Sequence, residues 1–362
     1  LWHFRYPIEG GDEHIVVAVG RPAREAAGTR RIILISENEP QDVRMVRPLE
    51  EGGYGLDALW NDDFHHSAVV ALTGRREAYY TDHRGSAQEL VSAAKHGYLF
   101  QGQRYAWQKK NRGTSTRGVA PASFVNFLEN HDQLANSGDG SRTHARAAPG
   151  RYRAMTTLCL LMPGTPMLFQ GQEFGSTAPF LYFADHNAEL AEAVQKGRAE
   201  FVAQFTSLAT PEIQSLLPVP HELTTFERCK LNWDERHRRM SHWRLHRDLL
   251  AIRREDVAFR QQHRSAVDGA VLDTQVFALR YFSRREADER LLVVNLGTDL
   301  TATSIPEPLV APPPGFETWS TRWSSEHPEY GGLGTPHVVT DGGWRIPGHC
   351  AVVLQPAVRS DR

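Results

Sequence analysis

Apolar and polar positions follow one pattern four times along this chain and then change texture. A helix-period pattern over residues 13–27 leads into RRIILIS, a β-branched run over residues 30–36 that reads as a fully buried strand and ends against Glu37. YGLDALWNDDFHH (residues 54–66) is a second apolar segment closing in polar residues, followed by the helix-like HSAVVALTG. FVNFLENHDQLANSGDGSR (residues 124–142) is the third, ending abruptly in Asn130, His131, Asp132 and Gln133. GTPMLFQGQEFG (residues 164–175) is the fourth, entered through Pro163 and Pro166 after the helical GRYRAMTTLCLLM. Strand, polar tip, then helix, repeated, predicts an α/β unit with a parallel sheet wrapped by helices, because parallel strands require crossovers of about a dozen residues or more. Its polar residues collect at the carboxyl ends of the strands, where barrels of this kind keep their chemistry.

Residues 190–205 and 233–255 read as helices. The second carries Arg236, His237, Arg238, Arg239, Arg244, Arg247, Arg253 and Arg254, which in isolation resemble a nucleic-acid stripe. Interleaved Asp234, Glu235, Asp248 and Glu255, with Trp243, Leu245, Leu249, Leu250 and Ile252 on one face, favour a solvated helix packed on one side. After Asp256 come the short alternating strands TQVFALRYF, RLLVVNLG and GHCAVVLQP, with IPEPLVAPPPG as a stiff loop. The division expected is therefore residues 1–256 for the parallel unit and 257–362 for an antiparallel β domain.

Composition narrows the function classes without choosing among them. At 362 residues, 40% hydrophobic and 23% charged, the chain is long enough for one large unit plus a smaller companion. A formal net charge of -2 gives no global reason to expect nucleic acid or an anionic membrane as partner. Cys159, Cys229 and Cys350 are far apart and odd in number, which suggests neither a disulfide framework nor a zinc knuckle, and fits a reducing cytoplasm. No apolar run approaches the ~18 residues of a membrane span, and LWHFRYPIEGG is not patterned as a secretory signal.

ILISEN with Glu37, LWNDDFHH, NFLENHDQLAN, PGTPMLFQGQEF and APFLYFADHN, in that order, resemble the α-amylase superfamily of glycoside hydrolases (family 13), and within it the branch that releases trehalose. The resemblance extends from about Asp12 to the end. It implies a (β/α)8 barrel, of which this chain would hold the C-terminal half, strands five to eight, followed by a small antiparallel β domain. It also implies a substrate, malto-oligosyltrehalose, cleaved at the α-1,4 bond joining the glucan to its terminal trehalose, no cofactor, and a pathway link to malto-oligosyltrehalose synthase. A glucan branching transferase, which passes the same glycosyl intermediate to a sugar hydroxyl, and a noncatalytic glucan-binding remnant are the alternatives; PFLYFADH tips the choice to the hydrolase.

Residue roles follow from the same resemblance. Retaining glycosidases need one protonated carboxyl to assist the leaving group and a second, about 5 Å away, to attack the anomeric carbon. Glu37 is implied to be the general acid/base, since desolvation at a strand end raises a carboxyl pKa; an N-cap or surface Glu is the other reading, and Glu39 a poorer substitute. Asp132 is implied to bind sugar hydroxyls and help distort the ring, with His131 donating to the same sugar; otherwise Asn130 and Asp132 cap the next turn and His131 is a core histidine. Asp63 and His65 are candidate substrate contacts. A metal among Asp62, Asp63, His65 and His66 is disfavoured, because neighbouring side chains on an extended segment point apart. Glu173 is placed near the glucan cleft, or else pairs with an arginine. Arg142 is expected to hydrogen-bond substrate hydroxyls, or to sit in a surface ion pair. Trp60, Phe180, Tyr182 and Phe183 offer flat faces for glucose, though singly each is more often core. The family's nucleophile, an aspartate in a G-x-R-x-D-A motif, has no counterpart in LWHFRYPIEGG, and neither Glu9 nor Asp12 follows an apolar strand. The expectation is a truncated or misread chain that aggregates or is inactive alone, because an incomplete barrel leaves unpaired edges.

Overall fold

The structure, a computed structural model, describes residues 5–8 and 11–358. Glu9 lies outside the described residues, and of Asp12 only the backbone is described. An antiparallel pairing of Arg5–Ile8 with Gly11–His14 precedes helix α1 (Ile15–Ala27), whose first turn is closed by His14 Nδ1 accepting from the Val16 amide at 3.3 Å. Gly28, at φ +58°, ends it in the left-handed region that favours glycine.

Four short strands form a parallel sheet in chain order: β1 (Ile35–Ser36), β2 (Ala58–Trp60), β3 (Phe124–Asn126) and β4 (Thr165–Pro166). Ile35 registers with Ala58, Leu59 with Phe124 and Val125 with Thr165. Helices α2 (Asp62–Thr73) and α3 (Ala87–His96) connect β2 to β3, and α4 (Pro149–Leu161) connects β3 to β4. The repeated strand-then-helix unit fails once. Between β1 and β2 there are only the one-turn segments Val43–Met45 and Leu49–Glu51. Pro48 opens the second of these, and Gly53 follows in a turn so tight that a Cβ there would lie 2.1 Å from the Arg47 carbonyl oxygen. The expected buried strand at residues 30–36 also needs correction. Ile33 is 70% and Ile35 48% exposed, because β1 is the outer strand and pairs on one side only.

Two longer helices follow, α5 (Ala188–Val202) and α6 (Met240–Glu255). The basic stretch of residues 233–255 is broken at Arg239. Arg253 donates to the carbonyls of Leu160 and Met162 at 2.8 and 2.7 Å and to that of Gly164, while Arg247 and Arg254 pair with Asp248 and Glu255. None of the described helices is long and apolar enough to cross a membrane.

The C-terminal strands β5 (Val267–Asp273), β6 (Val276–Tyr281), β7 (Arg290–Asn295), β8 (Thr318–Ser324) and β9 (Cys350–Ala357) form an antiparallel sheet in the order β8-β9-β7-β6-β5. The expected alternation of buried and exposed positions does not hold in its centre: every residue of β6 and β7 is buried. Both faces are covered. Phe277, Leu279, Leu292, Val294 and Val353 share one core with Leu90 of α3, Leu158 of α4 and Leu249 of α6. Val276, Ala278, Leu291, Val293 and Val352 share another with Val338, Trp344 and Ile346, from the smaller sheet beneath and the segment leading into it. Polar ties reinforce the first contact, including Tyr281 Oη donating to the Leu161 carbonyl at 3.1 Å and Arg153 paired with Glu326 at 2.6 Å.

Candidate functional site

The carboxyl ends of β1, β2 and β3 are adjacent because the strands are neighbours in the sheet. Glu37 follows β1 directly, Trp60 ends β2, and the segment from Phe127 to Asp132 leaves β3. A short helix, His131–Ala135, starts there because Asn130 Oδ1 accepts from the Gln133 amide at 2.7 Å. Asn130 is thus a cap, as one of the two readings held, but the cap leaves its neighbours free. His131 and Asp132 are each about half exposed, 51% and 50%, with Nε2 and Oδ1 3.5 Å apart. Neither is a core residue. The Trp60 ring lies 6.2 Å from the His131 ring, edge to face.

Glu37 belongs to the same cluster electrostatically. Partial burial raises its carboxyl pKa above the ordinary range, the charge of Asp132 raises it further, and His131 opposes both. Solvent still reaches Glu37. Two residues far apart in sequence, Glu37 and Asp132, therefore sense one another across β2. An acid whose pKa is raised, next to a second carboxylate, a ring nitrogen and a flat indole, is a constellation suited to general-acid chemistry on a polyhydroxylated ring.

Behind this open cluster lies a closed polar layer that sequence reading assigned differently. Asp62, Asp63, His65 and His66 are not on an extended segment: they form the first turns of α2, capped by Asn61 Oδ1 accepting from the Phe64 amide at 3.1 Å. Asp63 is fully buried and its carboxylate is occupied. Oδ2 accepts from the amides of Leu99 and Phe100 at 2.7 and 2.8 Å, while Oδ1 faces His83 at 3.4 Å and Arg112 at 3.8 Å. Burial alone would raise its pKa, but the His83 hydrogen bond and the Arg112 charge outweigh burial and hold it low. His65 is buried against Phe127, rings 4.9 Å apart and nearly parallel, and burial pushes its pKa down to about 3. Tyr80 joins His65 to the short helix: its hydroxyl lies 3.5 Å from His65 Nε2 and donates to Gln133 Oε1 at 3.0 Å.

Arg142 is neither exposed nor in a surface pair. It is buried, donating to the carbonyls of Ala178 and Gln170 at 2.8 and 2.9 Å and facing the buried Glu129 at 3.5 Å. Glu129 in turn accepts from the Thr143 amide at 2.7 Å. Glu173 is half-buried on the turn Gln172–Phe174 after β4. The structure thus brings together Glu37, Trp60, His131 and Asp132 at the surface, with Asp63, His65 and Arg142 underneath.

Arg112 was missed altogether. It is buried, faces Glu39, Asp62 and Asp63 at 3.7, 3.6 and 3.8 Å, and lies 4.7 Å from the centre of the Tyr105 ring. Burial pushes Asp62 up to about 7, with Arg112 pulling the other way and Asp63, Glu37 and Glu39 adding to the rise. The adjacent acids Asp62 and Asp63 were the available signal: two neighbouring carboxylates after an apolar segment demand a cation when buried. Among the described residues no group of His, Cys, Asp and Glu has the geometry of a metal site.

No family model matches the chain. A curated protein of Deinococcus radiodurans named malto-oligosyltrehalose trehalohydrolase is 33% identical over 309 residues, which is 83% of this chain and 48% of that protein. A protein of the same name from Saccharolobus solfataricus is 34% identical over 62% of this chain and 37% of its own length. The chain therefore spans about half the length of the curated relatives it matches, over their C-terminal part. Among solved structures, a Salmonella typhimurium protein assigned as an alpha amylase superposes with a TM-score of 0.74 at 27% identity, covering 96% of this chain and 55% of that one. A type I pullulanase of Bacillus subtilis, at 14% identity and a TM-score of 0.55 over 94% of this chain and 42% of its own, shares the fold alone. The chain resembles the C-terminal part of the malto-oligosyltrehalose trehalohydrolases, and its structural neighbours are enzymes of the α-amylase family.

Proposed function

We propose that this chain carries two of the three active-site carboxylates of a retaining glycoside hydrolase that cleaves the α-1,4 bond between a malto-oligosaccharide and its terminal trehalose. The observation that carries the reading is the electrostatic contact of Glu37 with Asp132 and His131 at neighbouring strand ends. Glu37, its pKa raised by burial and by Asp132, delivers a proton to the departing sugar oxygen and later takes one from water. Asp132 and His131, half exposed, hold the hydroxyls of the reacting ring, and Trp60 offers it a flat apolar face. Asp63, His65 and Arg142 position those groups from beneath and do not touch the sugar. Residues 1–256 would form half of a (β/α)8 barrel, on the support of four parallel strands in chain order, and 257–362 its β companion. Among the described residues, the carboxylates in electrostatic contact with Glu37 are Asp132, which on this reading binds hydroxyls, and Asp62, which faces Arg112, and neither is assigned the nucleophile's role. Buried, unpaired Cys159, Cys229 and Cys350 suit a reducing cytoplasm, where a malto-oligosyltrehalose synthase would supply the substrate.

Two measurements on the purified chain test this. Calorimetry with maltotriosyltrehalose should detect binding that Asp132→Asn weakens about tenfold, roughly 1.4 kcal/mol; a folded wild-type chain that binds no glucan overturns the reading. Chromatography of the same mixture should find no trehalose. Release that Glu37→Gln abolishes would keep the hydrolase and overturn the expectation that the chain alone is inactive.

A further inference from the structure

A cavity of about 520 Å³ opens where the turn after α2, the loop after the helix His131–Ala135 and the segment of residues 207–218 meet. Glu37, Trp60, His131 and Asp132 are not among its lining residues, and none of its described lining residues is aromatic, so the proposed sugar chemistry assigns it nothing. Its volume lies within the range of small-ligand sites, about 300 to 1,000 Å³.

Its two sides differ in chemistry. One is apolar, made by Leu208, Ile213, Leu216, Leu217 and Pro218, and Leu216 keeps 76% of its surface in water. Gly138, at φ +88°, turns the neighbouring loop close against this side: a Cβ there would come within 2.9 Å of Leu208 Cδ2. The other side carries three guanidinium groups, those of Arg75, Arg146 and Arg228. Two of them are neutralised. Arg75 pairs with Glu77, donates to Ser207 Oγ at 3.3 Å and lies 4.9 Å from the centre of the Phe205 ring, while Glu77 accepts from the Ser207 amide at 2.8 Å. Arg146 pairs with Asp139 at 2.5 Å. Glu77 and Asp139 are the only carboxylates among the described lining residues, and Arg228, which ends the helix Leu223–Arg228, makes no ion pair with a described residue. Three cations against two anions leave one positive charge over, facing an apolar wall.

We propose that this cavity binds a medium-chain carboxylate, with its carboxyl group at Arg228 and its alkyl chain along Leu208, Ile213, Leu216 and Leu217. This goes beyond the glycosidase reading and does not rest on it. The chemistry of the walls selects the ligand. One uncompensated charge matches a monoanion, and a guanidinium offers a carboxylate two parallel hydrogen bonds. A phosphate would bring a second negative charge toward Glu77 and Asp139 and leave the leucines in water. An ammonium group would add to the surplus positive charge, and a sugar would find no aromatic face. Affinity comes from the alkyl chain, since each buried methylene is worth about fourfold.

The test is calorimetry on the full chain with octanoate, butyrate, octan-1-ol and inorganic phosphate as probes. Octanoate is expected to bind about a hundredfold more tightly than butyrate, which has four fewer methylenes. Arg228→Gln should weaken octanoate about tenfold, and Leu216→Asp, which sets a negative charge on the apolar wall, by at least about as much. Both positions are exposed, so both variants should melt close to the wild-type temperature. Absence of octanoate binding by the folded wild-type chain overturns the proposal. So does octan-1-ol or phosphate binding as tightly as octanoate, or octanoate affinity untouched by both substitutions. The two variants should bind maltotriosyltrehalose as wild type does; a parallel loss overturns the separation of this cavity from the sugar site.

Discussion

The parallel sheet puts two or three residues into each strand, whereas strands of the C-terminal antiparallel sheet run from six to eight. The central long strands, β6 and β7, are buried on both faces by apolar packing, and no candidate site residue lies on the long strands. The short ones carry the candidate site and are tied by side chains: Asn61 Nδ2 joins the end of β2 to Asn126 Oδ1 of β3 at 2.8 Å, and Asp63 fixes the amides after α3. One sheet is stable because it removes apolar surface from water. The other has an apolar cluster of its own, including Leu59 and Phe124, and adds to it buried polar groups whose loss costs more than their presence contributes.

The largest expected effects separate the two mechanisms. Phe277→Ala empties a fully buried position in β6 and is expected to cost about 3–5 kcal/mol in denaturant unfolding, with glucan affinity unchanged at temperatures where the variant is folded. Asp63→Ala leaves Arg112 buried against fewer charges and two amides unpaired, an expected cost also of about 3–5 kcal/mol. Glucan binding should be lost with it, because the turns behind Glu37 and Trp60 come loose. If Asp63→Ala binds glucan as wild type does, the polar layer is not what shapes the site.

That layer is also where the reading from sequence fell short. The tips after β1 and β3 were legible, since Glu37 and Asp132 each follow an apolar run and end it abruptly. Asp63, His65 and Arg142 were legible as polar residues in the right segments, but their burial was not. Their partners come from elsewhere: Leu99 and Phe100 for Asp63, Phe127 for His65, Ala178 and Gln170 for Arg142. No local periodicity announces such partners, and Arg112 sits in the polar stretch QKKNRGTST, where nothing distinguishes it from its neighbours. Likewise RRIILIS and RLLVVNLG are similar apolar runs; one became an exposed edge and the other a fully buried strand because of what packs on them, a tertiary fact.

Acid should affect the two regions differently. His65 is neutral in the folded chain, its pKa pushed down to about 3 by burial, with His83 and His66 also near its ring and Tyr80 and Gln133 facing it. Unfolded, it titrates near 6.5. Below about pH 6.5 the unfolded chain therefore binds the extra proton, and stability falls by about 1.4 kcal/mol per pH unit until the folded pKa is reached. Asp62 has the opposite sign. Its folded pKa is raised to about 7, so its contribution is fully present below the unfolded carboxylate pKa and is lost as pH rises through 7. Comparing wild type with His65→Phe removes the Asp62 contribution from the difference. The gap between them should change by about 2–3 kcal/mol from pH 6.5 to 4.5, in favour of the variant. A pH-independent gap would mean that His65 is protonated in the fold.

The smallest stability effect is expected at the edge. Ile33 and Ile35 are already largely in water, so the double change Ile33→Thr, Ile35→Thr should move the unfolding free energy of the monomer by no more than about 0.5 kcal/mol. Its effect on association should be larger. β1 presents unpaired backbone groups flanked by these two apolar side chains, the combination that recruits another strand. Light scattering at rising concentration should show the wild-type chain assembling and the double variant lagging behind it, with little change in melting temperature. Equal assembly by both would locate the adhesive surface elsewhere; a loss of several kcal/mol would mean that β1 contributes to the core of the parallel sheet after all, and the contrast between the two sheets would then rest on strand length alone.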